Sequence, residues 1–384
     1  MDPIDGLPKN LHESLGKYMG FSIFKAPSPE GEGSFALYYG NRMRNLFKAL
    51  GIQGEIYLAS EYYKKGIYND AIKTVLDNAG EVRKIYEEMY KKEIASDWFP
   101  LNVICPNCGK LGTTKVTGWS GEKVSFHCVP SGVEWAKGCN EKGEISPYDG
   151  NAKLSWKVEW GAKWATFGVT IEGAGKDHAS AGGSYDIAMQ ICERVFKKTP
   201  PLKIPYEFFL SHGKKMASSK GLGITGEELL EVVPPEIVRF LMIKSQPNQA
   251  IEFEPKETDV IPNLYDAYQK AAQAYFSRSA SGGEKGDKDL ARVFELSQIS
   301  EIKRPPSVRF SILTQWVQMP NMEGEIKKEG VEEWAKYARV WVERFAPEEQ
   351  KFSVQKELPQ EAKSLSEDQK KLLTEISNLL DQEQ

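Results

Sequence analysis

The pattern of apolar positions predicts a helix near the front of the chain. Across residues 33–51 the apolar side chains recur at helical spacing, with Ser34 suited to an N-cap and Gly51 to a C-terminal stop. Residues 54–60 alternate and then become apolar, which predicts a buried strand. Two more helices are predicted within 68–94. Helix, strand and helix at this spacing indicate an α/β layer with parallel strands.

A different pattern begins after Trp98. Residues 101–150 are rich in Gly, Cys and Lys and hold short strand-like runs, TTKVTGW and KVSFHC, which indicates a small insertion held by a metal. From Lys153 strand signals return in KLSWKVEW and WATFGVTIEG. The helix SYDIAMQICERVF and the strand IPYEFFL follow.

The rest of the chain has an almost wholly helical pattern. It begins after Pro234 and Pro235, and a polar linker is predicted at residues 277–289. Ser366 and Gln369 form a predicted capping box at the start of the last helix.

Composition and charge narrow the class of protein. The 384 residues carry a net charge of -4, which argues against a broadly basic nucleic-acid coat but leaves local basic patches open. No apolar run is long enough for a membrane span, and the first residues lack the features of a secretion signal. We therefore expect a cytoplasmic protein of two or three domains.

Four of the five cysteines fall close together, in a C-x2-C-x19-C-x10-C arrangement: Cys105, Cys108, Cys128 and Cys139. A closed set of four thiolates is typical of structural zinc. The second pair is not a C-x2-C, so two alternatives stay open: His127 as a replacement ligand, or cysteines that hold no metal. The fifth, Cys192, lies in a helical apolar pattern that predicts a buried side chain.

A basic loop, HGKKMASSKGLGIT at residues 212–225, follows an apolar strand and precedes the start of a helix. Lysine suits a phosphate that gains charge during a reaction, and loops at the carboxyl ends of parallel strands are where α/β proteins bind ligands. A second polar junction, GAGKDHASAGG, lies upstream. There Asp177 could hold ribose hydroxyls, His178 could contact a small polar substrate, and the glycines allow close backbone approach to anions.

These segments resemble the class I aminoacyl-tRNA synthetases. KKMASSKG resembles the KMSKS signature in the serine-rich form of class I lysyl-tRNA synthetases, and residues 153–188 resemble the segment that follows the zinc-bearing insertion of that family. The resemblance runs, with gaps, along most of the chain. It implies a Rossmann-like parallel-sheet catalytic domain with a zinc-binding insertion, followed by an all-α region leading to an anticodon-binding domain.

The resemblance also implies a chemistry and a set of residues. ATP, with Mg²⁺, would activate L-lysine to lysyl-adenylate, and the lysyl group would pass to the 3′ end of tRNA(Lys), with structural Zn²⁺ in the insertion and no membrane involved. Further roles follow by match to the family motifs: catalytic Lys215, Ser218, Ser219 and Lys220; ATP-binding Gly175, Asp177, Met216 and Lys215; lysine-binding Trp156, His178 and Tyr206. Trp164 is a second aromatic candidate for the lysine pocket, although we expect it instead to be a buried tryptophan on a strand.

Two departures from the family pattern shape the expectations. Ala217 replaces a serine of the signature, so Lys220 is the substitute for its usual lysine. None of the four histidines stands in an H-x-G-H pattern, which the family uses on the opposite side of the ATP phosphates. We expect a chain that lacks this front segment, and part of the tail, to be impaired in lysine activation.

The resulting domain prediction has four parts. They are the first part of the catalytic domain at 1–97, the zinc insertion at 98–150, the second half of the catalytic domain at 151–232, and the helical region at 233–384. Two other functions stay open at this point. One is a non-catalytic paralogue or fragment that binds tRNA or lysine, and the other is a synthetase for another amino acid such as glutamate.

Overall fold

The computed structural model describes residues 1–216, 223–277, 285–352, 357, 360 and 364–382. The chain divides into two compact units. The first comprises Met1–Leu230, Pro235–Glu254 and Glu295–Glu301, and the second comprises Glu231–Pro234, Pro255–Phe294 and Ile302–Gln384.

The front of the first unit is helical. Its helices are α1 (His12–Leu15), α2 (Phe35–Ala49), α3 (Ala59–Lys64), α4 (Asn69–Asp77) and α5 (Ala79–Tyr90). The predicted cap of α2 is confirmed, because Ser34 Oγ accepts a hydrogen bond from the Leu37 N–H at 3.3 Å. The predicted strand at 54–60 is wrong: residues 52–58 have no regular structure, and α3 starts at Ala59. A strand needs a neighbour for its backbone groups, and no described strand pairs with this segment.

The cysteine-rich segment is built of antiparallel strands. Strand β1 (Leu101–Val103) pairs with β5 (Ala152–Leu154), and β2 (Thr114–Trp119), β3 (Val124–Cys128) and β4 (Lys142–Ile145) form a three-stranded sheet. The two strand-like runs of this segment are thereby confirmed as β2 and β3. Val124, Phe126 and Cys128 alternate inward on β3 and join the main core of the unit.

The α/β part contains one parallel strand pair. It comprises α6 (Trp156–Phe167), β6 (Ile171–Gly175), α7 (Lys176–Ala179), α8 (Ser184–Gln190), which continues as a π-helical turn to Val195, and β7 (Leu202–Tyr206). Strands β6 and β7 are parallel, from Ile171 opposite Leu202 to Gly175 opposite Tyr206, as expected for a strand, helix and strand unit. Trp164 lies on helix α6 and is 2% exposed, so its expected strand setting is wrong although its burial is confirmed.

A β-hairpin completes the first unit. Strands β8 (Phe209–Ser211) and β9 (Lys214–Lys215) pair antiparallel, and β8 also pairs in parallel with β10 (Ile251–Glu252). Helices α9 (Gly226–Val232) and α10 (Pro235–Ile243) lie between β9 and β10 in the chain.

All the regular secondary structure in the described residues of the second unit is helical. The remaining helices are α11 (Val260–Phe276), α12 (Lys285–Ser297), α13 (Phe310–Trp316), α14 (Glu323–Lys328), α15 (Glu332–Arg344) and α16 (Glu367–Gln382). The predicted capping box is confirmed, with reciprocal hydrogen bonds between Ser366 and Gln369 at 2.9 and 3.3 Å. Most of the predicted linker at 277–289 lies outside the described residues, and its last part is wrong, because α12 begins at Lys285. None of the helices in the described ranges combines the length and apolarity needed to cross a membrane.

Candidate active site

The four predicted cysteines meet at one point. The sulfurs of Cys105, Cys108, Cys128 and Cys139 all lie within 4.8 Å of one another, with Cys105 3.6 Å from Cys139 and Cys108 3.7 Å from Cys128. A tetrahedral zinc with bonds of about 2.3 Å separates its sulfurs by about 3.8 Å. The cluster therefore has the dimensions of a closed zinc site. His127 instead hydrogen-bonds the Asn140 side-chain oxygen at 2.9 Å.

The thiols of this cluster differ in acidity. Burial raises the pKa of Cys105 to about 12. Burial acts the same way on Cys139, but hydrogen bonds from the Glu141 backbone and from the neighbouring thiols outweigh it and lower its pKa to about 7. The thiol of Cys139 therefore gives up its proton more readily than that of Cys105.

The basic loop begins in the β8–β9 hairpin. Its two-residue turn, His212 and Gly213, has positive φ angles of 50° and 69°, as in a type I′ turn that joins twisted strands. After β9 the Met216 N–H donates to the Phe209 carbonyl at 2.9 Å, which extends the pairing by one residue. Ser218, Ser219 and Lys220 lie outside the described residues.

The hairpin brings Lys215 to the strand-to-helix junction. Lys215 Nζ forms an ion pair with the carboxylate of Asp177 and lies 4.4 Å from the centre of the Phe208 ring. Asp177 stands on α7, two residues after Gly175 ends β6. Two segments that are 38 residues apart in the chain thus supply one lysine and one carboxylate to the same place.

Two of the three predicted lysine-binding side chains contact each other. The ring centres of Trp156 and His178 are 5.5 Å apart, edge to face, and Trp156 is 44% exposed. The ring of the third, Tyr206, packs along β6, 3.5 Å from where a β-carbon on Gly175 would stand and 3.6 Å from the corresponding point on Gly173. No ring contact joins Tyr206 to Trp156 or His178 within the described part of the chain.

A cavity opens at the carboxyl ends of β6 and β7. Its volume is about 230 Å³, and Lys176, Ala179, Ser180, Pro205, Tyr206, Glu207 and Asn248 line it. The Lys176 ammonium and the Glu207 carboxylate pair across it at 2.8 Å. This is the edge at which parallel sheets bind their ligands.

Trp160 and Glu172 also belong to this region but were not predicted from the sequence. Trp160 lies one turn after Trp156 on α6, and its ring contacts both Trp156 and His178. The spacing of tryptophans at 156, 160 and 164 could have indicated a shared helix face. No comparable pattern indicated Glu172, because the two tryptophans that hydrogen-bond its carboxylate lie on a different element, helix α6.

Comparison with known proteins identifies the family. The model of the family "tRNA synthetases class I (K)" matches residues 1–300. The "Lysine--tRNA ligase 1" of Methanosarcina acetivorans is 34% identical over 99% of this chain and 71% of its own length. The chain belongs to the class I lysyl-tRNA synthetases. Another member of this family, the "Lysine--tRNA ligase" of Picrophilus torridus, is 32% identical over 99% of this chain and 75% of its own length.

Solved structures add little to the family assignment. A putative arginyl-tRNA synthetase from Campylobacter jejuni covers 80% of this chain and 60% of its own at 11% identity, with a TM-score of 0.31. That similarity is too low to support an argument about the fold. The family resemblance predicted from KKMASSKG and GKDHAS is confirmed by sequence comparison alone.

Proposed function

We propose that this protein is a lysine-tRNA ligase. It activates lysine with ATP to lysyl-adenylate and transfers the lysyl group to the 3′ end of tRNA(Lys). The main observation behind the proposal is the ion pair between Lys215 and Asp177. It brings together the basic loop and the strand-to-helix junction, and a bound nucleotide would have to contact both. The membership of the chain in the class I lysyl-tRNA synthetases supports the same conclusion.

In the first step a lysine carboxylate oxygen attacks the α-phosphorus, and the bond to pyrophosphate breaks. Catalysis of such a transfer rests on positioning and on charge stabilisation. Lys215, with Lys220 further along the loop, neutralises the charge that develops on the pyrophosphate, while Ser218 and Ser219 hydrogen-bond its oxygens. Mg²⁺ bound together with ATP would add to that neutralisation.

The remaining residues hold the two substrates. Asp177 accepts hydrogen bonds from the ribose hydroxyls, and Gly175 and the Met216 backbone allow close approach of the nucleoside. The aromatic faces of Trp156 and His178 border the lysine side chain, with Tyr206 on the β6 side. In the second step the terminal ribose hydroxyl of the tRNA attacks the carbonyl carbon of the adenylate and AMP leaves.

We also propose that Cys105, Cys108, Cys128 and Cys139 hold one structural Zn²⁺. Four cysteine ligands would leave no position open for a substrate, so the ion would act by tying the loop after β1 to the end of β3 and the β3–β4 connection. The sulfur separations support this role. We propose in addition that residues 98–150 form an insertion inside a Rossmann-like catalytic domain.

The function is tested by separating binding from turnover, because no H-x-G-H pattern occurs in these 384 residues. Calorimetry with lysine and with ATP measures binding, lysine-dependent ATP–pyrophosphate exchange measures activation, and charging of tRNA(Lys) measures transfer. We expect lysine to be bound in preference to glutamate and other amino acids, and we expect its activation to be slow, since the H-x-G-H pattern is absent from these residues. Binding of tRNA or lysine with no exchange would favour the non-catalytic alternative, and activation of glutamate would replace lysine as the substrate.

A further inference from the structure

One face of α6 carries a ladder of three tryptophans. Trp156, Trp160 and Trp164 follow each other at intervals of four residues, and successive ring centres are 5.8 Å apart. His178 packs edge-on against Trp160, at 5.9 Å, as well as against Trp156. The ladder therefore runs from an exposed ring at Trp156 to a buried one at Trp164.

A single carboxylate holds the inner part of this ladder. Glu172, the second residue of β6, accepts a hydrogen bond from Trp160 Nε1 at 2.6 Å and another from Trp164 Nε1 at 2.7 Å. Hydrogen bonds to an ionised acceptor are about twice as strong as neutral ones. Glu172 thus uses both oxygens to fix the rotation of two indole rings, and the Trp160 ring in turn supports His178.

The charge of Glu172 has no cationic partner in the part of the chain that the structure describes. Lys203 stands opposite Glu172 in the β6–β7 register, but its ammonium pairs with the carboxylate of Asp186 at 2.7 Å. Glu207 likewise has a cationic partner, Lys176, at 2.8 Å. A half-buried carboxylate without a counter-ion makes the adjoining surface negative. The faces of indole rings are negative as well and attract ammonium groups.

We infer that Glu172 is a specificity-determining and positioning residue for the amino-acid substrate. It fixes the Trp160 and His178 rings, and its unpaired charge makes the tryptophan ladder select a cationic alkylammonium side chain over a neutral one with the same number of carbons. This inference rests on the proposed function, in which Trp156 and His178 border the lysine side chain. Glu172 acts through the rings and through its field and is not itself a catalytic group.

The test compares Glu172→Gln with wild-type protein by calorimetry, using lysine, norleucine and ATP as separate ligands. Glutamine keeps the shape of the side chain and can still accept one indole hydrogen bond, but it has no charge. Glu193→Gln makes the same change in net charge at an exposed position of the same unit and serves as the control. Trp164→Phe keeps the charge and removes one hydrogen bond.

For Glu172→Gln we expect lysine affinity to fall about 10- to 100-fold, the range for losing a charged hydrogen-bonding group. We expect ATP affinity to stay within twofold and norleucine affinity to change less than lysine affinity. Glu193→Gln should stay within about threefold of wild type for lysine, and Trp164→Phe, which keeps the charge of Glu172, should lose less lysine affinity than Glu172→Gln. Melting temperatures of all variants show whether each one is folded.

Three results would overturn the assignment. The first is an unchanged lysine affinity in Glu172→Gln. The second is a loss of lysine affinity matched by an equal loss of ATP affinity, seen in Glu172→Gln and in Trp164→Phe alike. The third is a wild-type protein that binds norleucine as tightly as lysine. The last measurement needs no variant and stands even if Glu172→Gln does not fold. A wild-type protein that binds ATP but neither amino acid contradicts the proposed function instead.

Discussion

Lys215 and Lys214 are adjacent in β9 but differ in their surroundings. Lys215 reaches Asp177 at the end of β6, whereas the Lys214 side chain is exposed and has no ion pair among the residues described. We predict that Lys215→Ala lowers the rate of lysine-dependent ATP–pyrophosphate exchange by about 10²- to 10³-fold, as for loss of one charge-stabilising donor. Lys214→Ala should remain within threefold of wild type.

The measurement is steady-state exchange with ATP and lysine varied in turn. If Lys215 acts on charge that develops during the reaction, kcat falls more than the KM for ATP rises. Equal losses in the two variants would mean that the loop contributes only general positive charge.

Single residues show what the sequence could and could not reveal. The four cysteines were predictable, because their chemistry narrows the possible roles whatever fold brings them together, and the structure gathers all four. The pairing of Lys215 with Asp177 was partly foreseeable from two polar segments expected at the same sheet edge. The role of Glu172 could not be predicted from the sequence. It depends on the orientation of two indole rings on a helix whose sequence predicted a strand.

The β8–β9 hairpin depends on its turn. Gly213 has a φ of 69°, in a region where a side chain costs roughly 1–2 kcal/mol. We predict that Gly213→Ala weakens the turn, displaces Lys215 and raises the KM for ATP several-fold, with little change in the melting temperature. The control is Gly54→Ala, because a β-carbon at Gly54 meets no atom within 4 Å and its φ is not positive.

ATP affinity by calorimetry and exchange kinetics measure the effect. If Gly213→Ala and Gly54→Ala behave alike, the hairpin is not the element that sets the position of Lys215.

Zinc should stabilise the three-stranded sheet of β2, β3 and β4. We predict about one zinc per chain by metal analysis of wild type and of Cys192→Ala, and none in Cys108→Ala. Removing the metal from wild type with a chelator should speed amide hydrogen exchange first at residues 101–150, because all four ligands lie in that segment. Acidification should release the ion, since its ligands must be deprotonated.

Cys192 is a fair control because it is buried on the π-helical turn after α8, away from the cluster. A zinc content near zero in gently purified wild type would contradict the site. So would a chelator effect that is spread evenly over the chain.

The helices and strands were predictable where local signals agreed with one another. Helix α2 had a stripe, a cap and a stop, and it begins and ends where those signals lie. Residues 52–58 have the composition of a strand, but pairing decides whether a strand forms, and a sequence segment does not reveal its partner. The run from Lys153 was mistaken for strand because its tryptophans are β-formers, whereas their four-residue spacing belongs to a helix.

The whole chain is organised as two units, each with its own buried residues. In the second unit Tyr265 and Phe310 stack with ring centres 3.8 Å apart, and Trp341 is 0% exposed. In the first unit the buried strands and helices around Val103, Phe126 and Ile187 form a separate core. The sequence predicted the change from α/β to helical character but not which short segments join each unit, because segments distant in the chain make up both.

Because each unit has its own core, a substitution that disrupts packing in one core can leave the packing of the other intact. We predict that Trp341→Ala destabilises the second unit by about 3–5 kcal/mol, the usual cost of truncating a buried tryptophan. Lysine affinity should stay within about twofold of wild type, because Trp156, His178 and Glu172 all belong to the first unit. Phe352→Ala, at a side chain that is 46% exposed, is the matched control and should change neither quantity.

Hydrogen exchange distinguishes the units in this experiment, since peptides from α11, α13 and α15 should lose protection while those from α6 and β6 keep it. Calorimetry with lysine is then performed on the same preparation. Loss of lysine binding in step with the loss of protection in α15 would mean that the lysine site depends on the second unit for its stability. Retention of binding would place the amino-acid site wholly within the first unit, where the tryptophan ladder of α6 and its carboxylate from β6 are joined by hydrogen bonds.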